Sequence, residues 1–97
     1  MIKQHDCFPF AFRLNDIFSE ALAERWATRE NSGSLTVVYD IRYYDKSIID
    51  QYGQSDHLLP EHGNFHFCEN REEKFMESVS AGLREVLINK GYKSDIE

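Results

Sequence analysis

Apolar and polar residues alternate with a period of two near the start of the chain, in "HDCFPFAFR". Phe8, Phe10 and Phe12 share one parity; His5, Cys7, Pro9, Ala11 and Arg13 share the other. A two-residue period puts alternate side chains on opposite sides of a sheet, so residues 4–13 read as a strand with its phenylalanines inward. Pro9 has no N–H to give to a ladder, which predicts that the strand lies at an edge or is interrupted there.

The pattern then changes. In "NDIFSEALAERWATRE", Phe18, Leu22 and Trp26 recur every four residues, joined by Ile17 and Ala21. That spacing predicts an amphipathic helix of about four turns. Asn15 is the expected N-cap, with Asp16 and Glu20 near the positive end of the dipole. "NSGS" supplies its stop. "SLTVVYDIRYYD" returns to a period of two, with Leu35, Val37, Tyr39, Ile41 and Tyr43 on the inward parity. The opposite set is half-polar, as in an antiparallel sheet covered on one face.

Residues 45–64 read as an irregular connection. "DKSIIDQYG" predicts one or two helical turns, capped by Asp45 and stopped by Gly53, and "QSDHLLPEHG" reads as a loop punctuated by Pro60 and Gly63. "NFHFC" is a short strand with Phe65 and Phe67 inward. The last helix carries a stripe of Met76, Val79, Leu83, Val86 and Leu87, with Phe75 beside it. Asn70 and Glu73 resemble a capping box, and Gly91 followed by Tyr92 a Schellman-type stop. Gly82 costs about 1 kcal/mol relative to Ala inside a helix, so close packing is expected there.

These elements predict one α+β domain over residues 1–97. Its expected form is a small two-layer β-α-β-β-α arrangement, with a three-stranded, mostly antiparallel sheet and two helices packed on one face. The other sheet face is expected to stay open, or to be covered by another molecule.

Composition narrows the function. A hydrophobic content of 41%, with seven Phe and five Tyr, argues for a folded core rather than a disordered tail. No apolar run approaches the roughly 20 residues that span a bilayer. "MIKQHDC" lacks the order of a signal peptide, and the expectation is a cytoplasmic protein. Its two cysteines would there be thiols. The net charge of -6 opposes direct nucleic-acid binding and favours a basic protein partner.

Four candidate chemistries follow. His5 and Cys7 in one strand, and His66 and Cys68 in another, both fall opposite the phenylalanines. Together they make a Cys2His2 zinc set, the alternative reading of this chain as a small zinc-binding domain. The same residues also fit half-exposed sheet positions, and their spacing matches no finger pattern. Asp56, His57, Glu61, His62 and His66 form a second, loop-borne cluster of metal-ligating types. A cysteine beside a histidine is a possible nucleophile, but no oxyanion-binding turn, phosphate loop or dinucleotide fingerprint accompanies it. The fourth candidate is acidic and aromatic. Glu69, Glu72, Glu73 and Glu77 gather at the start of the last helix, where a solvated, dipole-favoured face accounts for each one singly. As a group they form a negative patch suited to a basic partner. Arg42, Tyr44 and Tyr52 are residue types that anchor interfaces. The expected function is thus non-enzymatic: a small acidic binding module that inhibits or regulates a basic protein, such as a nucleic-acid enzyme or toxin. Immunity proteins, antitoxins and phage-encoded antagonists act in this way. Homodimerisation through the open sheet face is a further expectation.

Overall fold

The structure is a computed structural model and describes residues 2–97. Five antiparallel strands follow one another in spatial order: β1 (Ile2–Leu14), β2 (Ile17–Arg29), β3 (Leu35–Tyr43), β4 (Ser55–Glu61) and β5 (Asn64–Phe67). Helix α1 (Lys46–Tyr52) links β3 to β4. Helix α2 (Glu73–Lys90) follows β5, and a 3-10 turn (Lys93–Ile96) ends the chain. The class is α+β, but the sheet has five strands where three were expected.

Two corrections account for the difference. The expected helix over residues 15–30 is β2. A spacing of four fits a helix and also two periods of a strand, so Phe18, Leu22 and Trp26 do not discriminate between them. The deciding set is the other parity: Ser19, Ala21, Ala23, Arg25 and Ala27 are all buried. The register explains why they are small. Ala23 lies between Phe8 and Ile41, and Ala21 between Phe10 and Tyr43. Large side chains from β1 and β3 fill the space above each alanine, and this packing overrides the helix propensity of "EALAER". Asn15 is not an N-cap; Asn15 and Asp16 have φ of 52° and 65° and form the two-residue turn joining β1 to β2. Both residue types tolerate the left-handed region that a type I′ hairpin requires.

The second correction is β4, which occupies part of the expected irregular segment. Asp56 and Leu58 point inward, and His62 and Gly63, at φ of 45° and 82°, turn the chain into β5. Pro60, expected to punctuate a loop, lies inside β4, whereas the helical expectation holds: α1 is capped by Asp45, whose side chain accepts from the Ser47 N–H, and stops at Gly53. Helix α2 begins at Glu73 with Glu72 as the N-cap residue, so Asn70 does not cap it. Its end is as expected: Gly91 is left-handed at φ 87°, and Tyr92 N–H donates to Leu87 C=O.

One sheet face carries the core. Phe8, Phe10, Phe12, Tyr39, Ile41, Tyr43, Leu58, Phe65 and Phe67 pack beneath Phe75, Val79, Leu83 and Leu87 of α2. Phe12 meets Phe75 edge-on at 5.9 Å, and Tyr52 stacks on Phe75 at 3.9 Å.

Two buried polar networks tie the periphery to this core. Arg25 donates through Nε and Nη2 to both carboxylate oxygens of Asp95, at 2.7 and 3.0 Å, and Tyr39 O–H donates to the same carboxylate. The Arg25 guanidinium also lies 4.1 Å from the Tyr92 ring centroid, and Tyr92 O–H donates to Asp6. In the second network, buried Asp56 accepts from Tyr43 O–H at 2.7 Å and from Arg71 Nε at 2.9 Å.

These contacts make the protein sensitive to alkali. Burial and then Asp95 raise the Tyr39 phenol; burial and then Asp56 raise Tyr43. Burial raises Tyr52, and the hydrogen bond to Asp6 raises Tyr92. A phenol whose folded pKa lies above its unfolded value contributes stability in full below pH about 10, and loses it as pH rises through the folded value. The urea midpoint is therefore expected to hold to pH about 9.5 and then fall steeply, with phenolate absorbance appearing alongside unfolding. A midpoint unchanged up to pH about 11.5 would contradict this assignment.

Candidate interaction surfaces

Three surfaces are available for contact: the sheet edges, the uncovered sheet face and the outer side of α2. The edges are blunted. In a two-residue hairpin the flanking pair, Leu14 and Ile17, exchanges both ladder hydrogen bonds, so bonded pairs fall on the parity of Phe8, Phe10 and Phe12. Pro9 therefore sits where its nitrogen faces away from β2, and it costs no ladder bond. The neighbouring outward donor, Cys7 N–H, is taken by its own Asp6 side chain at 2.8 Å. Farther along, Gly82 of α2 lies against the Ala11 carbonyl, where an added Cβ would sit 2.3 Å from the oxygen. The expected edge position of Pro9 is thus realised, and the β1 edge is guarded along its middle. The opposite edge strand, β5, has only four residues.

The uncovered face holds the outward parity of all five strands. Across it the register aligns one row of Cys7, Glu24, Asp40 and His57. A neighbouring row runs Pro9, Leu22, Arg42 and Ser55. On the other side His5 pairs with Trp26, and Trp26 with Val38. Leu59 and His66 are paired on the same face. The His5 ring stacks on Trp26 at 4.0 Å, with Nε2 3.2 Å from Glu24. His57 pairs with Asp40, and His66 lies 3.9 Å from Glu61. Glu24, Trp26, Asp40, Arg42, His57 and Glu69 border an open depression of about 600 Å³.

The expected metal sets do not converge. His5 and Cys7 lie on β1, and His66 and Cys68 at β5. They share the uncovered face, but three strands separate them, a distance of about 19 Å at the usual strand spacing. A tetrahedral zinc ion needs all four ligands within about 2.3 Å. The second set is dispersed as well: Asp56 is buried on the helix side with Arg71, His62 is in the hairpin turn, and His57, Glu61 and His66 face outward. Among the described residues no group of three or more His, Cys, Asp or Glu is placed to hold a metal ion. Cys7 and Cys68 are exposed thiols. The His5 ring is engaged by Trp26 and Glu24.

The anchoring residues separate too. Arg42 is exposed on the uncovered face, and Tyr44 is 55% exposed just beyond β3. Tyr52 is 9% exposed, because it stacks on Phe75 and donates to Glu72 at 3.3 Å; it belongs to the core. An isolated tyrosine in a short helix gave no sign of which ring would receive it.

Glu69, Glu73 and Glu77 are exposed, as is Glu72. Glu73 and Glu77 are four apart on α2, and the same line of the helix continues through Ala81 to Glu85, a residue the sequence reading passed over. The i, i+4 spacing along the helix was the signal that reveals it. Among the described residues none of these five glutamates makes an ion pair; those seen are elsewhere. No helix among the described residues is long and apolar enough to cross a membrane. No protein-family model, curated protein or solved structure matches the chain.

Proposed function

We propose that this protein is an acidic, non-catalytic binding module that occludes a basic surface on another protein, with the glutamates of α2 standing in for phosphates. A nucleic-acid enzyme or a toxin is the partner class whose groove has the matching charge. The carrying observation is the unneutralised line Glu73, Glu77 and Glu85, with Glu69 ahead of it. The helix dipole favours Glu73 near the N-terminus but gives nothing to Glu77 or Glu85, which lie beyond the first turn. Like charges four apart cost an isolated helix about 0.2–0.5 kcal/mol. Stability of the fold does not call for this pattern, whereas steering of a cationic partner does. Tyr44, exposed at the end of β3, supplies a ring with a polar handle for the same encounter.

Capture from a lysate of the native host in low salt, with mass-spectrometric identification, names the partner. The Glu73→Lys/Glu77→Lys variant then tests the mechanism. Both side chains are exposed, so its melting temperature should stay close to that of the parent. Its association rate with the captured protein is expected to fall about tenfold or more at low salt, with a weaker dependence on salt. Equal rates for parent and variant in low salt would remove the electrostatic basis of this proposal.

A further inference from the structure

The uncovered face differs in kind from α2. Its carboxylates, Glu20, Glu24, Asp40 and Glu61, with Glu69 at the border of its depression, are accompanied by Lys3, Arg13 and Arg42. The face thus mixes both signs of charge, unlike the line Glu73, Glu77 and Glu85 on α2. Trp26, Val38, Leu22 and Leu59 lie among these groups, with Trp26 40% and Leu59 37% exposed. Arg42 makes no ion pair among the described residues, while Asp40 sits two positions along the same strand on the same face. Only one Asp40 oxygen, Oδ1, pairs with His57.

We infer that this face is the seam of a homodimer, with a second copy of the chain packed sheet to sheet. The reason is self-complementarity at the centre of the face, where Asp40 and Arg42 are neighbours on β3. Consider a two-fold axis in the plane of the seam, across the strands and midway between the row of Asp40 and the row of Arg42. It sets each row over the other row of the second copy. Arg42 then meets the second copy's Asp40, and Asp40 the second copy's Arg42, so one juxtaposition is satisfied twice. A basic partner would leave Arg42 facing like charge. Extended sheet faces pack within about 30° of alignment and about 10 Å apart, which allows these side chains to meet. The area is of the right order: the facing parts of β1 to β4, about 4.8 Å apart, offer several hundred Å², against the roughly 800 Å² per partner of a standard interface. Because both sheet edges are blunted, growth by edge pairing does not compete. The dimer would display two acidic α2 surfaces, but its existence does not depend on the role proposed for them.

The test needs only the full chain, kept under reducing conditions so that Cys7 and Cys68 remain thiols. Sedimentation equilibrium from about 1 to about 200 µM should show twice the chain mass at the upper end. Asp40→Arg and Arg42→Asp should each weaken dimerisation at least about tenfold, because each sets like charges face to face. The double variant Asp40→Arg/Arg42→Asp should regain it. Trp26→Glu, which the same axis sets over the second copy's Glu20, or Val38→Lys on a different strand if the first variant fails to fold, should yield a monomer. A monomer over the whole concentration range overturns the inference. So does a dimer indifferent to all these variants, or a double variant no better than the singles.

Discussion

Asp95→Ala is expected to lower the free energy of unfolding by about 3–5 kcal/mol, although it lies two residues from the end of the chain. The Arg25 side chain is 8% exposed and the Asp95 side chain 2%. Removing the carboxylate leaves a guanidinium without its bidentate partner and Tyr39 O–H without an acceptor. A buried charge that loses its counter-ion costs far more than the pair contributes on balance, because the desolvation remains and the attraction is gone. Asp95 raises the Arg25 pKa, and the guanidinium stays charged, so it does not escape by releasing its proton. For a domain whose whole stability is about 5–15 kcal/mol, the variant should be partly unfolded at mild urea concentrations. Arg25→Met/Asp95→Leu separates the explanations. It removes both charges while keeping apolar bulk, and should recover much of the loss. Equilibrium urea unfolding reads both effects. If Asp95→Ala costs under about 1 kcal/mol, the carboxylate is not anchoring the terminal turn.

Gly82→Ala should destabilise the protein by about 1–3 kcal/mol, and Gly82→Val by more. On propensity alone the sign is opposite, since Ala gains about 1 kcal/mol over Gly in a helix interior. The contact decides it. A Cβ at position 82 would stand 2.3 Å from the Ala11 carbonyl oxygen, 2.9 Å from Phe12 Cβ and 3.1 Å from Phe12 Cα. The first and third of these are backbone atoms, which cannot rotate aside. Relief requires α2 to lift from β1, and Phe12, Leu83 and Leu87 are each 0–1% exposed beneath that contact. Lifting the helix would open space around three fully buried side chains. The comparison of thermal and urea unfolding of Gly82→Ala with Ala81→Gly on the neighbouring exposed position is decisive. The second change should cost only the propensity difference of about 1 kcal/mol. A stabilised Gly82→Ala would show that the helix does not approach the strand so closely.

The readable parts of the fold were those where a single local rule acts. The stripe from Phe75 to Leu87 specifies α2 whatever surrounds it, and Gly91 stops it because a left-handed residue is needed there. Asp45 and Gly53 bracket α1 through local hydrogen bonds to Ser47 and Ile49. Alternation placed Phe8, Phe10 and Phe12 inward, and the missing N–H of Pro9 put that strand at an edge. The β2 strand was illegible for a definite reason. Its inward residues are alanines, whose value lies in the room they leave for Phe8 and Tyr43, and local pattern carries no record of neighbours. Asp56 was read as loop chemistry because a carboxylate on an inward strand position makes sense only once Arg71 and Tyr43 are in place around it.

The candidate surfaces divide along the same line. The glutamates of α2 were visible because helix spacing and charge are both written in the chain, and only Glu85, two turns farther along, needed the helix axis to join them. The distance between the two His-x-Cys segments was not visible. Parity fixes the face a side chain occupies, and it did so correctly for all four residues. Strand order fixes the distance, and it depends on which hairpins form; inserting β2, β3 and β4 between them sends the pairs to opposite margins. Residue identity thus determined the helices, the inward phenylalanines and the acidic character of this protein. Tertiary structure alone decided the five-strand order, the burial of Arg25 with Asp95, and the loss of Tyr52 to the core, because each depends on contacts between residues far apart in the chain.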